Sequence, residues 1–317
     1  MPTLSEYAKL ETDPLMAGVM ENIVTANALM PFLQFKPMEG NSLKYNREST
    51  LPTAAFLETG GTMVDTEATY TAVSSSLTTV YVQSPVDRYA QATRGSVQDQ
   101  KAVAISGMAK SLGRKIAKTV IQGNSASGNE FEGLTSLAVG ASRVMAMDDG
   151  TVSAAAGSNE TELTIDRLDA MIDEVVDGDR KPDVLIMNTT MRRKLTSLAR
   201  AAGSGIMLNT IEMFGRQIDA YNGIPIVLTN WITNAEQYEA PGTWGSSTAT
   251  TIFGVVFGEE EQGHVILHNG SVLSPDVQEL GTKFDHNEDV FRLVVYIGAA
   301  LFSVERITAL GGIDSTA

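Results

Sequence analysis

Val97-Gln-Asp-Gln-Lys-Ala-Val-Ala-Ile-Ser-Gly-Met-Ala-Lys-Ser-Leu-Gly-Arg-Lys-Ile-Ala-Lys-Thr-Val-Ile121 is the stretch from which the rest of the chain takes its bearings. Val97, Ile105, Met108, Leu112, Ile116 and Val120 follow i, i+3 and i+4 steps, which a 3.6-residue period gathers on one face, so the spacing predicts a helix over 97–121. At 1.5 Å per residue it would run about 37 Å. Lys110, Arg114 and Lys118 repeat every four residues and fall opposite the apolar stripe. Such a cationic line reads either as a solvated face or as a contact for an acidic neighbour.

Upstream of the helix the chain turns to strand-forming residues. Ser42 to Arg47 and Ser76 to Gln83 are rich in Thr, Val, Leu and Tyr and read as two arms of a hairpin. Between them, 49–75 is rich in Thr, Ser, Ala and Glu, and offers only Phe56, Leu57, Met63, Val64 and Tyr70 for burial. A connection of that length is uncommon inside a compact domain and is either functional or disordered. Further upstream, Leu15, Val19, Met20, Ile23 and Val24 recur near helical spacing after Pro14, and Pro31 and Pro37 break the pattern, giving an arm with one amphipathic piece.

Downstream, a Gly/Ser/Asn cluster over 123–129 ends the helix and Phe131-Glu132-Gly133-Leu134 follows. Thr164 can cap a helix with the stripe Ile165, Leu168, Ile172, Val175 and Val176, stopped by Gly178. Asp183-Val-Leu-Ile-Met187 reads as a short buried strand, and Asn188 or Thr189 can cap a helix carrying Met191, Leu195, Leu198 and Ala202. Gly223 to Leu228, Thr251 to Phe257 and His264 to His268 are further strand candidates, and the chain closes on a long apolar strand from Val290. The second region is therefore a mixed sheet with helices on it, and the chain as a whole is α+β.

Composition sets limits. With 317 residues, roughly 75% of the unfolded surface can be buried, so a sizeable core forms without staples. Lys and Arg number 23 against 38 Asp and Glu, a formal charge of -15, which disfavours a general nucleic-acid clamp. Charged residues are only 19% of the chain, below the roughly 25% of average globular proteins, a hint that other chains cover much of the surface. The absence of cysteine excludes disulfides, thiolate metal sites and a cysteine nucleophile. Glu6, Glu11 and Asp13 interrupt the N-terminal apolar residues, unlike a secretory signal, so a cytoplasmic protein is expected.

Motifs that carry chemistry are few in this sequence. The sequence holds no Gly-x-Ser-x-Gly elbow, no phosphate-binding loop and no Gly-x-Gly-x-x-Gly fingerprint. His264 and His268, four apart on a strand, would lie about 13 Å from each other and cannot share an ion. They and His286 read as surface or turn histidines. Asp173, Glu174, Asp177, Asp179 and Asp183 lack calcium-loop spacing. Glu259 to Glu261 and Asp148-Asp149 have no partner in sequence, and Trp231 and Trp244 suit a core or an interface better than a pocket. No catalytic residue, cofactor or metal is predicted.

The order of these pieces (arm, long acidic hairpin, long helix, Phe131-x-Gly133-Leu134, an α/β region with Gly223-Ile224-Pro225-Ile226, and the closing strand from Asp289 to Ala300) resembles the major capsid protein of tailed bacteriophages, the Hong Kong 97 type of shell protein. The resemblance implies an N-terminal arm over 1–38, an extended loop over 39–90, and a peripheral domain over 91–160 with its spine helix at 97–121. It also implies an axial domain over 161–270 and peripheral C-terminal strands over 271–317. Its implied function is self-assembly into hexamers and pentamers of an icosahedral head around double-stranded DNA, in the host cytoplasm and then in the virion, with no membrane. DNA would be held without specific recognition. A separate scaffolding protein, a portal and decoration proteins are the expected partners.

The expected inter-subunit contacts are Arg47, Glu48, Glu58, Asp65 and Glu67 on the loop, Arg88 at its base, and Lys110, Arg114 and Lys118 on the spine. Lys44 is the only lysine between Lys36 and Lys101 and lies near the loop base, which argues against the Lys–Asn crosslink some relatives carry. Two alternatives stand beside this reading: an encapsulin-like compartment holding an enzyme cargo, and a soluble α/β enzyme.

Overall fold

The computed structural model describes Leu29 and residues 31–94, 100–126, 128–154, 160–175, 181–201, 208–213, 216–234, 248–269 and 277–316. The amphipathic piece expected between Leu15 and Val24 lies outside these residues, as do Val97, Val176, Asp177, Gly178, Asp179, Ala202 and Trp244. No helix among the described residues is long and apolar enough to cross a membrane.

The first strands are β1 (Phe35–Pro37), β2 (Ser42–Thr50), β3 (Thr69–Ser76) and β4 (Thr78–Asp87). β2 and β3 form a two-stranded ribbon, in register from Ser42 opposite Ser76 to Thr50 opposite Thr69, with a bulge after Glu48. Here the structure corrects the expected hairpin, whose second arm was Ser76 to Gln83. Those residues belong almost wholly to β4, which leaves the ribbon at Leu77 and pairs with β14 (Glu288–Leu301), from Thr78 opposite Ile297 to Asp87 opposite Glu288. The reason is amphipathicity: β4 turns Val80 and Val82 toward the core and Thr79, Tyr81 and Gln83 to solvent, so it pairs where a core exists. Gly298 permits the crossing, because a Cβ there would meet the Ser76 carbonyl oxygen at 2.6 Å.

β14 is the centre of a five-stranded sheet, with β4 along one edge and, along the other, β12 (His264–Asn269) and β13 (Val277–Thr282); β1 extends it beyond β12. The expected long helix is present as α2 (Gln100–Gln122), after α1 (Arg88–Arg94). Its Met108, Leu112, Ile116 and Val120 are buried and share one core with Val80, Val82, Phe291, Leu293, Val295 and Ile297 from the sheet's inner face. The helix stops where two glycines meet. A Cβ on Gly123 would lie 2.3 Å from the Phe131 carbonyl oxygen, and one on Gly133 would lie 2.5 Å from the Gly123 nitrogen. That close approach is the reason for the Phe131-Glu-Gly133-Leu134 segment, and it starts α3 (Leu134–Gly140) under the end of the helix.

The remaining elements are β5 (Val144–Ala146), β6 (Val152–Ser153), α4 (Ile165–Asp173), β7 (Val184–Met187), α5 (Thr189–Ala201), β8 (Leu208–Met213), β9 (Arg216–Tyr221), β10 (Ile224–Leu228), β11 (Ala249–Val255) and β15 (Ile307–Asp314). Their strands make an eight-stranded mixed sheet in the order β6-β5-β15-β11-β7-β10-β9-β8. Val184, Ile186, Val227, Phe253, Val255 and Ile307 face the spine-helix core, while Leu185, Met187, Ile226, Ile252 and Leu310 face α4 and α5. Both expected caps are present: Thr164 accepts from the Arg167 amide at 3.4 Å, and Asn188 accepts from the Met191 amide at 2.8 Å. Asn222 and Gly223, both at positive φ, make the two-residue turn that joins β9 to β10.

Two strands fall on the other side of the sequence-based division at residue 270. β12, expected in the axial region, pairs with β14 and β1, whereas β15, expected with the peripheral strands, is central to the eight-stranded sheet. Besides the passage from β4 to β5 by way of α1 to α3, two direct crossovers join the sheets, β11 to β12 and β14 to β15. They are tied to each other: the Val256 amide donates to the Arg306 carbonyl at 3.0 Å and the Ser303 amide to the Gln262 carbonyl at 2.8 Å.

Candidate assembly interface

The ribbon is built in two unlike halves. At its base, the Tyr45 hydroxyl donates to the Leu301 carbonyl at 2.8 Å and its ring lies 5.0 Å from that of Phe302. Arg47 donates through Nε to the Phe302 carbonyl at 3.0 Å and through Nη2 to the Leu301 carbonyl, with its guanidinium 5.6 Å from the Tyr45 ring centroid. Leu43, Tyr45 and Leu77 also pack on Met38, Leu267 and Ala300, a small core on the outer face of the five-stranded sheet.

Past Thr50 the chain has no such support. Residues 51–68 contain no strand, and their hydrogen bonds among the described residues are internal, such as the Thr53 amide to Thr66 Oγ1 at 3.0 Å and the Gly61 amide to the Glu58 carbonyl at 2.9 Å. Phe56 is 108% exposed, Val64 83% and Met63 80%, and Leu51 and Leu57 are exposed beside them. Apolar groups gathered on one exposed segment mark an interaction site. Glu48, Glu58, Asp65 and Glu67 are exposed on the same ribbon, and no Lys or Arg occurs between Arg47 and Arg88. The tip is thus apolar and anionic together.

The other expected contact residues divide. Lys110 and Lys118 are exposed on the spine helix and Arg114 is half-buried beside them, while Lys115 pairs with Glu130. Arg47 and Arg88 are engaged within the chain. Arg88 Nε donates to Asp289 Oδ1 at 2.9 Å, and Asp289 also accepts from the Thr282 hydroxyl at 3.0 Å, with Lys101 Nζ 3.7 Å away. Burial raises the Asp289 pKa, but the Thr282 hydroxyl, Arg88 and Lys101 together outweigh it and hold the carboxyl below its ordinary value.

Sequence reasoning missed Tyr45, Phe302 and Asp289. Tyr45 alternates with Leu43 and Arg47 on one face of β2, and that period-2 signal was readable.

The residues weighed for chemistry are placed structurally. Glu259 pairs with Lys36, Glu174 with Arg143 at 3.1 Å, and Asp183 accepts from the Phe257 amide at 2.8 Å. Asp149 is held below its ordinary pKa by the Thr151 amide and hydroxyl in a tight turn. Trp231 packs half-buried against the main core. His286 is exposed in a turn as expected, but His264 corrects the expectation of a surface histidine: it is 1% exposed, edge-on to the Phe257 ring at 5.8 Å. Neither of its ring nitrogens has a hydrogen-bond partner among the described residues, and burial pushes its pKa down to about 4. Among the described residues no cluster of His, Asp and Glu has the geometry of a metal site.

Comparisons with known proteins agree with this fold. The model of the phage capsid family matches residues 12–310. None of the curated proteins matches in sequence. Among solved structures, the holo-SrpI encapsulin complex from Synechococcus elongatus superposes with a TM-score of 0.71 at 16% identity, over 93% of this chain and 90% of that one. A chain from Mycobacterium phage Adephagia does so with a TM-score of 0.61 at 12% identity, over 99% of both. The capsid of an empty GTA particle gives 0.58 at 13% identity, over 92% of this chain and 90% of the other. At these identities the likeness is one of fold.

Proposed function

The chain belongs to the phage capsid family, whose members are structural shell proteins and not enzymes, and from that premise we propose how this subunit closes its shell. The soluble-enzyme alternative falls with that membership. The extended loop of one subunit lies across the next, its Phe56, Leu57, Met63 and Val64 buried there and its Glu58, Asp65 and Glu67 facing cations of the neighbour, the spine residues Lys110, Arg114 and Lys118 first among them. The eight-stranded sheet acts as the axial domain at the capsomer centre, and the five-stranded sheet with the spine helix acts as the peripheral domain. Hexamers and pentamers of this kind close into an icosahedral head around double-stranded DNA, with a scaffolding protein, a portal and decoration proteins as further partners.

One observation carries the reading: a ribbon firmly anchored at its base whose tip presents apolar side chains that the described residues leave uncovered. Burying one such side chain is worth about 1.5–3 kcal/mol, and a shell repeats that gain at every subunit. Sedimentation velocity on the purified chain at high concentration, with fractions viewed in the electron microscope, is the test. Closed megadalton particles or five- and six-membered rings are expected; a strict monomer, even with scaffold supplied, would refute the proposal.

The TM-score of 0.71 to an encapsulin keeps a second reading in view, a shell of the same fold around an enzyme cargo. Nuclease-protected DNA in purified particles supports the phage head, and a co-purifying enzyme supports the compartment.

A further inference from the structure

Helix α5, like the spine helix, is a cationic element in an acidic chain. Its sequence, Thr-Thr-Met-Arg-Arg-Lys-Leu-Thr-Ser-Leu-Ala-Arg-Ala, carries four cations and no anion, in a protein of 23 cations and 38 anions. Met191, Leu195 and Ala199 fix the buried face, so the remaining side chains have assigned places. Arg192 pairs with Asp219 at 3.2 Å, and Lys194 donates to the Asp314 carbonyl. Arg193, Ser197 and Arg200 follow i, i+4 and i+7 steps, lie in one exposed line, and have no hydrogen-bond or ion-pair partner among the described residues. They border a depression of about 590 Å³ whose walls are cations and hydroxyls.

Two polyanions could meet this line, the acidic loop tip of a second copy or a nucleic-acid backbone, and the chemistry separates them. The loop tip is apolar as well as acidic, and it needs apolar cover. The depression beside α5 is lined only by threonines, serines, arginines and a lysine, so its apolar surface is that of methyl groups and side-chain stems and no Phe-, Leu- or Met-sized side chain lines it. The free cations here are arginines, whose planar fork grips phosphate through paired hydrogen bonds, with a hydroxyl between them as a further donor. The spine helix, by contrast, has four lysines and one arginine. From Arg193 to Arg200 the helix rises about 10 Å, the span of about three phosphates along one strand of a duplex.

We propose that the Arg193–Ser197–Arg200 line of α5 is a phosphate-backbone contact for the packaged duplex DNA, which requires this face of the axial sheet to look into the shell. The inference rests on the phage-head reading above. It supplies a weak, sequence-independent hold on a wall whose net charge of -15 otherwise repels DNA.

The test is fluorescence anisotropy of the full, unassembled chain against a labelled DNA duplex of arbitrary sequence at low salt, with parallel samples viewed for particles. Expected is binding that ignores sequence and weakens about tenfold between about 50 and 200 mM salt, as two phosphate contacts predict. The double variant Arg193→Gln, Arg200→Gln should lose most of that binding while its particles form as before. Undiminished binding by the double variant, or no binding by the parent chain, overturns the proposal. So does displacement of the duplex by a smaller concentration of polyglutamate than of competitor DNA, which would assign the line to an acidic protein. Particle formation is read separately, so a chain that forms no particles fails the shell reading whatever the duplex does.

Discussion

Within a single ribbon, the base and the tip of the extended loop spend their side chains in opposite directions. At the base, Tyr45 and Arg47 are bonded to the carbonyls of Leu301 and Phe302, so the residues that look most available for a neighbour are already engaged by their own chain. Only a few residues on, Phe56, Met63 and Val64 are almost fully exposed and Glu58, Asp65 and Glu67 have no cation near them in sequence. The difference teaches that anchorage and association are assigned to separate stretches: one half fixes where the loop points, the other provides what the neighbour receives.

The sharpest way to break that comparison is at the tip. Phe56→Asp with Met63→Asp removes two side chains that are almost fully exposed among the described residues, so thermal unfolding should stay within about 0.5 kcal/mol of the parent chain. Particle formation should be abolished, since each lost contact is worth about 1.5–3 kcal/mol and recurs at every subunit. Sedimentation velocity beside a melting curve reads both halves. A lowered melting temperature would show that the tip does serve its own fold, and unchanged particles would remove it from the interface.

Next in size is the sheet on which the base rests. His264 sits in β12, and its pKa is about 4 in the folded chain against 6.5 unfolded. The folded state therefore disfavours the charged imidazole. The associated stability is fully present above pH 6.5 and is lost as pH falls toward 4, by about 3 kcal/mol over that range. Asp289, held below its ordinary value, acts in the same direction at lower pH: its contribution is present above the unfolded pKa of 3.8 and disappears as the folded carboxyl takes up its proton. Urea midpoints should be flat above about pH 7 and fall through this window, and His264→Leu should flatten the upper part of the fall. A parent chain whose midpoint does not move between pH 6.5 and 4 would contradict the burial of His264.

A smaller effect is expected at the base itself. Tyr45→Ala deletes a hydrogen bond and a ring contact, and Arg47→Glu deletes two hydrogen bonds to carbonyls and sets a carboxylate beside them. Each should cost about 1–2 kcal/mol of stability in urea unfolding and speed proteolysis within the loop. Arg47 is one of the contact candidates by charge and position, and its engagement within its own chain shows where sequence legibility ends. The spine helix, both helix caps and the buried strand at 184–187 were readable because each is written in local periodicity or a local cap. The strand that pairs with β2 was not, because 69–76 and 76–83 are alike in propensity and only the distant β14 decides between them. For the same reason the exchange of β12 and β15 between sheets was hidden: pairing depends on residues 27 to 65 positions apart, from Asn269 opposite Tyr296 to Ala249 opposite Asp314, and strand propensity carries no address. At the tip, the five apolar residues without a core were legible from composition alone.

The mildest change expected is in the charges of the tip, and it can identify the surface that receives them. Glu58→Lys reverses one exposed carboxylate, so the subunit should melt as the parent does, while particle yield should fall by about tenfold at low salt, less at high salt. Lys110→Glu on the spine should do the same on its own. If the loop of one subunit reaches the spine of the next, the two reversals combined restore an opposite-charge pair, and yield should recover beyond what either single variant gives. An exposed pair is worth little in one copy, about 0.2–1 kcal/mol, but a shell multiplies it, so particle counts in the microscope read it better than any melting curve. Additive losses in the combined variant would place the tip against another cation, with Lys118 and Arg114 the next partners to exchange. Recovery with Lys110 alone would fix the register of one subunit upon the other to a single helical turn.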